Sequence, residues 1–220
     1  MRITNNQGLP APIVRAVTND PYTRGNSDFS VTQLLQPPRK VQLERRYEDQ
    51  LTEDAADRLW SLIGQVSHGI LERAEVEAIA EKRMYAEIAG FTVSGAMDRL
   101  VFVKDGETGD NVLQDYKVTS VYGVKIEGGP KAEWVQQMNA YVEVLAANGY
   151  RIDRAEVVAI YRDWSKLEAK RQGHEYPQQQ AQRLPVEVWL PKDRLEFLAK
   201  RVAEHAAAAA TTDGDLPSCT

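Results

Sequence analysis

Two carboxylates and a lysine stand close together in the stretch that runs from Gly95 to Lys117. A Gly-x-x-Asp pattern ends at Asp98, and an Asp-x-Lys pattern covers Asp115, Tyr116 and Lys117. Side chains two positions apart on a strand share a face, so Asp115 and Lys117 would point together while Tyr116 points away. Converging charges are costly to bury. Because Mg²⁺ binds carboxylate, carbonyl and water oxygens, a divalent cation would resolve this conflict.

The residues around these motifs predict a β-hairpin. Residues 91–103 and 112–118 are rich in β-branched and aromatic types, and turn-forming residues separate the two segments. We expect Asp98 near the middle of the first strand, where it can face Asp115 and its neighbours across the ladder.

A further strand precedes this hairpin. Residues 83–88 alternate between apolar and polar types, and Ala89-Gly90 then provides a turn. We therefore expect a three-stranded meander through residue 118. Glu81, just before the first strand, is expected to be exposed.

A long helix that Thr52 would cap is predicted upstream of the meander. Its apolar residues recur at helical spacing and are expected to form a buried stripe: Leu59, Leu62, Ile63, Val66 and Ile70. A second face carries residues spaced by four: Trp60, Gly64, His68 and Glu72. Because glycine inside a helix costs about 1 kcal/mol relative to alanine, Gly64 suggests that another backbone approaches it. His68 and Glu72 could reach a common point, although from the residues alone a packed or solvated pair is the favoured interpretation.

A second long helix is predicted from Pro130 to about Asn148-Gly149. Gln137 and Tyr141 lie one turn apart on it, in a Gln-x-x-x-Tyr pattern. Its apolar stripe consists of Trp134, Met138, Tyr141, Val142 and Leu145.

The ordered set of these motifs resembles the PD-(D/E)XK nuclease superfamily, and in particular its RecB-like branch, which includes phage exonucleases and CRISPR adaptation nucleases. The resemblance covers roughly residues 30 to 205, with Met97 in the place of the proline before the first aspartate. A short helix capped by Ser30 and ended by Pro37-Pro38 also has a counterpart in the family. The implied fold is α/β and restriction-endonuclease-like, with a mixed central β-sheet flanked by α-helices and the metal site at one end of the sheet.

The resemblance also assigns roles to the motif residues, with Asp98, Asp115 and Lys117 as the catalytic set. Lys117 would orient the attacking water or stabilise the charged phosphate. Gln137 and Tyr141 would contact nucleic acid, and Tyr141 would also serve the core. The expected ligands of Mg²⁺ or Mn²⁺ are His68, Asp98, Asp115, the backbone carbonyl of Tyr116 and, for a second ion, Glu72.

The rest of the chain predicts one nuclease domain over residues 28–210. Residues 1–27 are expected to form an irregular arm, and residues 211–220 a disordered tail. Between them we expect a loop at 119–129, a buried strand at 155–161, an exposed loop or lid at 166–183, an edge strand at 185–190, and a last helix from Lys192 to about Ala209 with Leu195, Leu198 and Val202 facing inward.

Composition excludes several classes of protein. The chain is 43% hydrophobic and 27% charged, which is ordinary for a soluble globular protein. Its single cysteine, Cys219, excludes internal disulfides and a cysteine-ligated iron–sulfur cluster. No apolar run approaches the ~20 residues of a membrane span and no signal pattern is found, so a cytoplasmic location without membrane contact is expected. A net charge of −5 is unusual for a nucleic-acid binder, but bound cations can neutralise phosphate charge locally.

The resemblance therefore predicts a metal-dependent DNA nuclease, and among these an exonuclease of phage recombination or repair. Its partners would be DNA and a single-strand annealing protein. Two alternatives stay open within the fold, namely a non-catalytic DNA-binding or assembly subunit and an endonuclease. A third interpretation makes Asp98 and Asp115 unrelated surface carboxylates of an α/β metabolic protein. The sequence contains no Gly-rich phosphate loop or nucleophile elbow that would favour it.

Overall fold

A computed structural model describes residues 1–19, 25–76, 78–80, 82–105 and 108–219. Glu81 and the turn residue Gly106 lie outside the described residues. Within them, no helix is long and apolar enough to cross a membrane.

Helices and strands alternate along the described chain. The helices are α1 (Ala11–Thr18), α2 (Val31–Leu34), α3 (Pro38–Arg46), α4 (Leu59–Ala74), α5 (Val121–Glu127), α6 (Ala132–Ala147), α7 (Lys166–Gln172) and α8 (Pro191–Ala209). The strands are β1 (Arg2–Thr4), β2 (Phe29–Ser30), β3 (Thr52–Asp54), β4 (Ile79–Ala80), β5 (Arg83–Ile88), β6 (Phe91–Ala96), β7 (Arg99–Asp105), β8 (Thr108–Thr119), β9 (Arg154–Tyr161) and β10 (Ala181–Val186).

The main sheet has five strands in the order β10-β9-β8-β7-β4. Strands β8 and β9 are parallel, and the other pairs are antiparallel, so the sheet is mixed. A second sheet has the order β2-β6-β5, and β1 pairs with β3. The predicted α/β class with a mixed sheet and flanking helices is confirmed.

The predicted meander is correct in its pairs but wrong as a single sheet. Strands β5 and β6 form one hairpin, closed by Ala89 at φ 52° and Gly90 at φ 82°, which is the backbone of a tight two-residue turn. Strands β7 and β8 form the other hairpin. Met97 and Asp98 interrupt the middle strand, so its halves β6 and β7 belong to different sheets. The Met97 side chain at this break is 0% exposed and belongs to the hydrophobic core.

Helix α6 connects the two sheets through the core. It contacts β5 and β6 of the smaller sheet, β8 and β9 of the main sheet, and helix α8. Every residue of its predicted apolar stripe is buried. The predicted strand at 155–161 and the last helix are also confirmed, as β9 and α8. Leu198 and Val202 face inward as expected, but Leu195 is 46% exposed and its prediction is wrong.

The predicted stripe of α4 is not buried. Ile63, Val66 and Ile70 are 42%, 53% and 52% exposed, and no residue of this helix is fully buried. In the described part of the chain, the helix packs mainly against the short α1, the preceding 3₁₀ turn and β8, which together cover part of its surface. Thr52 does not cap it, because Thr52 lies in β3, paired with Arg2 of β1.

Two segments expected to be irregular contain helices. Ser120 caps α5 by accepting a hydrogen bond from the Gly123 N–H at 3.1 Å, within the predicted loop 119–129. Ser165 caps α7 in the same way, within the predicted lid 166–183. The predicted edge strand at 185–190 is β10, which begins earlier and ends at Val186.

Both ends of the described chain make contacts. We expected an irregular arm at residues 1–27, whereas the structure has β1 and α1 there. We expected a disordered tail at residues 211–220. Instead Asp213 pairs with Arg46 of α3 at 2.5 Å, and Leu216 is 5% exposed.

Candidate functional site

The site forms where β8 extends beyond its antiparallel partner. Pairing of β7 with β8 ends at Arg99 opposite Gln114, whereas pairing of β8 with β9 continues to Thr119. Within the described chain, residues 115–119 therefore pair with a strand on one side only. Asp98, in the break before β7, lies at the other side. The prediction that Asp98 occupies the middle of a strand is wrong, because β6 ends at Ala96 and β7 begins at Arg99.

Asp115 and Lys117 point to the same side of β8, as their spacing predicts. The Lys117 Nζ lies 2.6 Å from the Asp115 Oδ2, and the two side chains are 23% and 3% exposed. This buried oxygen accepts no hydrogen bond of normal geometry in the described part of the chain, so the ion pair is its polar contact. A carboxylate so placed has lost most of its hydration.

Burial raises the pKa of the Asp115 carboxyl to about 6, because loss of hydration outweighs the opposing charge of Lys117. The carboxylate of Asp98 raises this pKa further, while His68 lowers it. Asp98 and His68 are thus close enough to Asp115 to change its charge state.

Asp98 joins helix α4 to strand β8. Its Oδ1 lies 3.2 Å from the His68 Nδ1, and its Oδ2 accepts a hydrogen bond from the Tyr116 N–H at 2.6 Å. Both main-chain groups of a strand residue point to the same edge, so the Tyr116 carbonyl faces the edge on which Asp98 lies. His68, Asp98 and the Tyr116 carbonyl are therefore brought to one edge of β8.

The donor types fit a divalent cation, although the side chains are grouped in pairs. Within the described ranges, no three His, Cys, Asp or Glu side chains converge closely enough to hold a metal ion by themselves. His68 pairs with Asp98, and Asp115 pairs with Lys117. However, a buried carboxylate whose polar contact is a single ammonium group, near a second carboxylate and a histidine, offers the oxygen donors that a hard cation prefers.

Glu72 and Glu75 border the site on the α4 side. They line a small cavity with His68, Leu71, Ala80, Asp98, Arg99 and Tyr116. Glu72 is exposed, whereas Glu75, just past the end of α4, forms a largely buried ion pair with Arg99. Arg99 also donates to the Gln114 Oε1 at 2.6 Å.

The sequence reasoning missed Glu75 and Arg99. One signal in the sequence could have indicated them. Arg99 directly follows Asp98 within a predicted strand, where a charged side chain needs an acidic partner. Their ion pair fixes the end of α4 to the start of β7, and so holds His68 in place beside Asp98.

Gln137 and Tyr141 lie next to the glycine of the Gly-x-x-Asp motif. The Gln137 Nε2 donates to the Tyr141 hydroxyl at 2.9 Å, and Tyr141 is 4% exposed. A Cβ on Gly95 would lie 3.0 Å from the Tyr141 Cδ1, closer than carbon atoms normally pack. The tyrosine ring therefore packs tightly against Gly95 and supports the chain three residues before Asp98.

A family model described as the PD-(D/E)XK nuclease superfamily matches residues 26–219. A comparison with curated proteins finds no match. Among solved structures, the chain is similar to an alkaline exonuclease, LHK-Exo, from Laribacter hongkongensis, with 18% identity and a TM-score of 0.44 over 82% of this chain and 89% of that one. It is similar in the same way to LHK-Exo in complex with dAMP, with 18% identity and a TM-score of 0.43 over 90% and 87% of the two chains.

Proposed function

Because this chain belongs to the PD-(D/E)XK nuclease superfamily, we propose that it is a metal-dependent DNA exonuclease. The observation that carries this proposal is the buried Asp115 carboxylate, which lies 2.6 Å from Lys117 and within electrostatic reach of Asp98 and His68. Two carboxylates and a lysine held close together, with one carboxylate fully buried, lower the stability of a fold, so their presence indicates a functional purpose. Binding of a cation and of a phosphate provides that purpose.

His68, Asp98, Asp115 and the Tyr116 carbonyl would hold Mg²⁺ or Mn²⁺. A histidine ligand favours Mn²⁺ more than an all-oxygen site would. When bound, the ion lowers the pKa of a coordinated water and neutralises charge on the scissile phosphate. Glu72 is the candidate for a second ion, since it lies one turn beyond His68 and lines the same cavity.

Lys117 has a different role, because its ammonium group is a donor and cannot bind a cation. Pairing with Asp115 positions this ammonium beside the proposed metal ligands. A fixed positive charge at this point would stabilise negative charge that develops on the phosphate, or orient the attacking water.

Gln137 is proposed to contact the DNA beside the cleaved bond, whereas Tyr141, which was expected to contact it too, is 4% exposed and would act by holding Gln137. Their mutual hydrogen bond and the packing of Tyr141 on Gly95 connect them to the segment that carries Asp98. A single-strand annealing protein is the partner that we propose, as the family resemblance implies.

End-labelled linear duplex and closed circular DNA, incubated with Mg²⁺, Mn²⁺ or EDTA, test the proposal. An exonuclease degrades the linear DNA in the presence of metal and leaves the circle intact. Cutting of the circle would identify an endonuclease of the same fold, and binding without cleavage would identify a non-catalytic subunit. Asp115→Asn is the control for contaminating nuclease, because it should remove all cleavage.

A further inference from the structure

Trp60 is an exposed aromatic side chain that is nevertheless held in place. It lies on the first turn of α4 and is 59% exposed. The guanidinium carbon of Arg162 lies 4.0 Å from the centre of its ring. An exposed indole leaves a large apolar surface in water. Because the Arg162 guanidinium is held over the Trp60 ring, both planar groups are ordered and could stack with a planar ligand.

The position of Trp60 connects it to the candidate metal ligands. Trp60, Gly64 and His68 are successive positions of one ridge, because residues spaced by four form a row along a helix. The rise of 1.5 Å per residue places Trp60 about 12 Å from His68 along the helix axis. A short strand of nucleic acid could therefore contact both Trp60 and His68.

Arg162 connects Trp60 to the end of strands β8 and β9. Its N–H donates to the Thr119 carbonyl at 2.9 Å, directly after the last pair of β8 with β9. Thr119 lies two residues beyond Lys117. Arg162 and Lys117 thus extend from the same end of the two parallel strands, and both carry positive charge toward a substrate.

Gly64 leaves the middle of the ridge open. A Cβ built on Gly64 would meet nothing within 4 Å in the described part of the chain, so protein packing there does not require glycine. Glycine inside a helix weakens it. A flat surface between an aromatic side chain and a metal ligand would let a sugar–phosphate backbone pass close to the helix.

We propose that Trp60 and Arg162 form a stacking platform that binds a nucleobase of the substrate strand, while its backbone crosses Gly64 toward His68. This inference rests on the proposed nuclease function. Stacked nucleotides rise by about 3.4 Å each, so the platform would take a base roughly three to four nucleotides from the cleaved bond. Such stacking tolerates any base, because every base has a π-face.

The test compares two single strands of equal length in EDTA, which prevents cleavage. One carries all its bases, and the other is abasic in its central part. Fluorescence anisotropy should show that the wild-type protein prefers the strand with bases, and that Trp60→Ala lowers this preference by about tenfold. Trp60→Phe should retain most of it, since phenylalanine still stacks. Val66→Ala is the matched control, because Val66 is 53% exposed on the same helix but lies off the ridge.

Cleavage of linear DNA with Mn²⁺, measured on the same proteins, separates the two proposals. Unchanged discrimination between the strands in Trp60→Ala would overturn the platform, even if the wild-type protein cleaves DNA. This result would favour a protein, and not nucleic acid, as the ligand of the exposed side of α4. If the wild-type protein does not cleave but Trp60→Ala loses the preference, the platform stands and the nuclease function falls. If the wild-type protein cleaves, Trp60→Ala should raise KM with little change in kcat.

Discussion

Replacement of Asp115 by asparagine should stabilise the metal-free protein while it abolishes cleavage. In the folded state, burial raises the pKa of Asp115 from 3.8 to about 6. The folded protein therefore holds a proton that the unfolded chain releases between these values, and stability falls as the pH rises through this window. A difference of about two pKa units, at 1.36 kcal/mol each, corresponds to about 3 kcal/mol at pH 8. Asparagine avoids this cost, because it has no charge.

The gain from Asp115→Asn should depend on pH in a defined way. Urea denaturation in EDTA should show a gain of about 3 kcal/mol at pH 8 and less than about 1 kcal/mol at pH 4, where the folded wild-type protein already binds the proton. Asp49→Asn removes an exposed carboxylate and should change stability by less than about 0.5 kcal/mol at either pH. Mn²⁺ should stabilise the wild-type protein and not the Asp115 variant. Equal or lower stability of Asp115→Asn at pH 8 would refute the reasoning that this charge is buried without sufficient compensation.

Four further substitutions test the rest of the site. Lys117→Ala should reduce cleavage by about 10²–10³-fold or more while calorimetry still detects Mn²⁺ binding, and cleavage at the wild-type rate would contradict the nuclease assignment at this site. Gln137→Ala should impair cleavage with almost no change in Tm, whereas Tyr141→Ala should also lower stability by about 3 kcal/mol or more, because it removes a buried ring. Gly95→Ala should cost about 1–3 kcal/mol in urea denaturation, since its Cβ would press on Tyr141, and an unchanged midpoint would show that the ring can move aside.

Local patterns predicted the elements that have a strong periodicity or a clear turn. The β5–β6 hairpin follows from alternation and from Ala89-Gly90, and α6 follows from an apolar stripe that is buried throughout. The same reasoning failed for α4. Periodicity shows which residues of a helix share a face, but it does not show whether another element covers that face. The prediction that Thr52 caps a helix failed for a related reason, because Thr52 lies in β3 and pairs with Arg2 of β1, fifty residues away in the sequence.

The sequence predicted which residues form the site, but only some of the contacts between them. Spacing on one strand placed Asp115 and Lys117 together, as the structure has them. The contact of His68 with Asp98 joins a helix to a distant strand break, so no local pattern contains it, and the family resemblance supplied it. The ion pair of Glu75 with Arg99 was missed, because the partners are far apart in the sequence and belong to no motif.

The break at Met97 and Asp98 makes one carboxylate a shared part of two sheets. Asp98 follows β6 of the smaller sheet, precedes β7 of the main sheet, and is tied to β8 through the Tyr116 N–H. The position of its carboxylate therefore depends on how the two sheets are oriented relative to each other. A substitution in the core of the smaller sheet, for example at the fully buried Val93, would shift this carboxylate without touching any residue of the site. Loss of activity in such a variant would indicate that the two sheets are misaligned. Residues far from the site could then affect cleavage as strongly as residues within it.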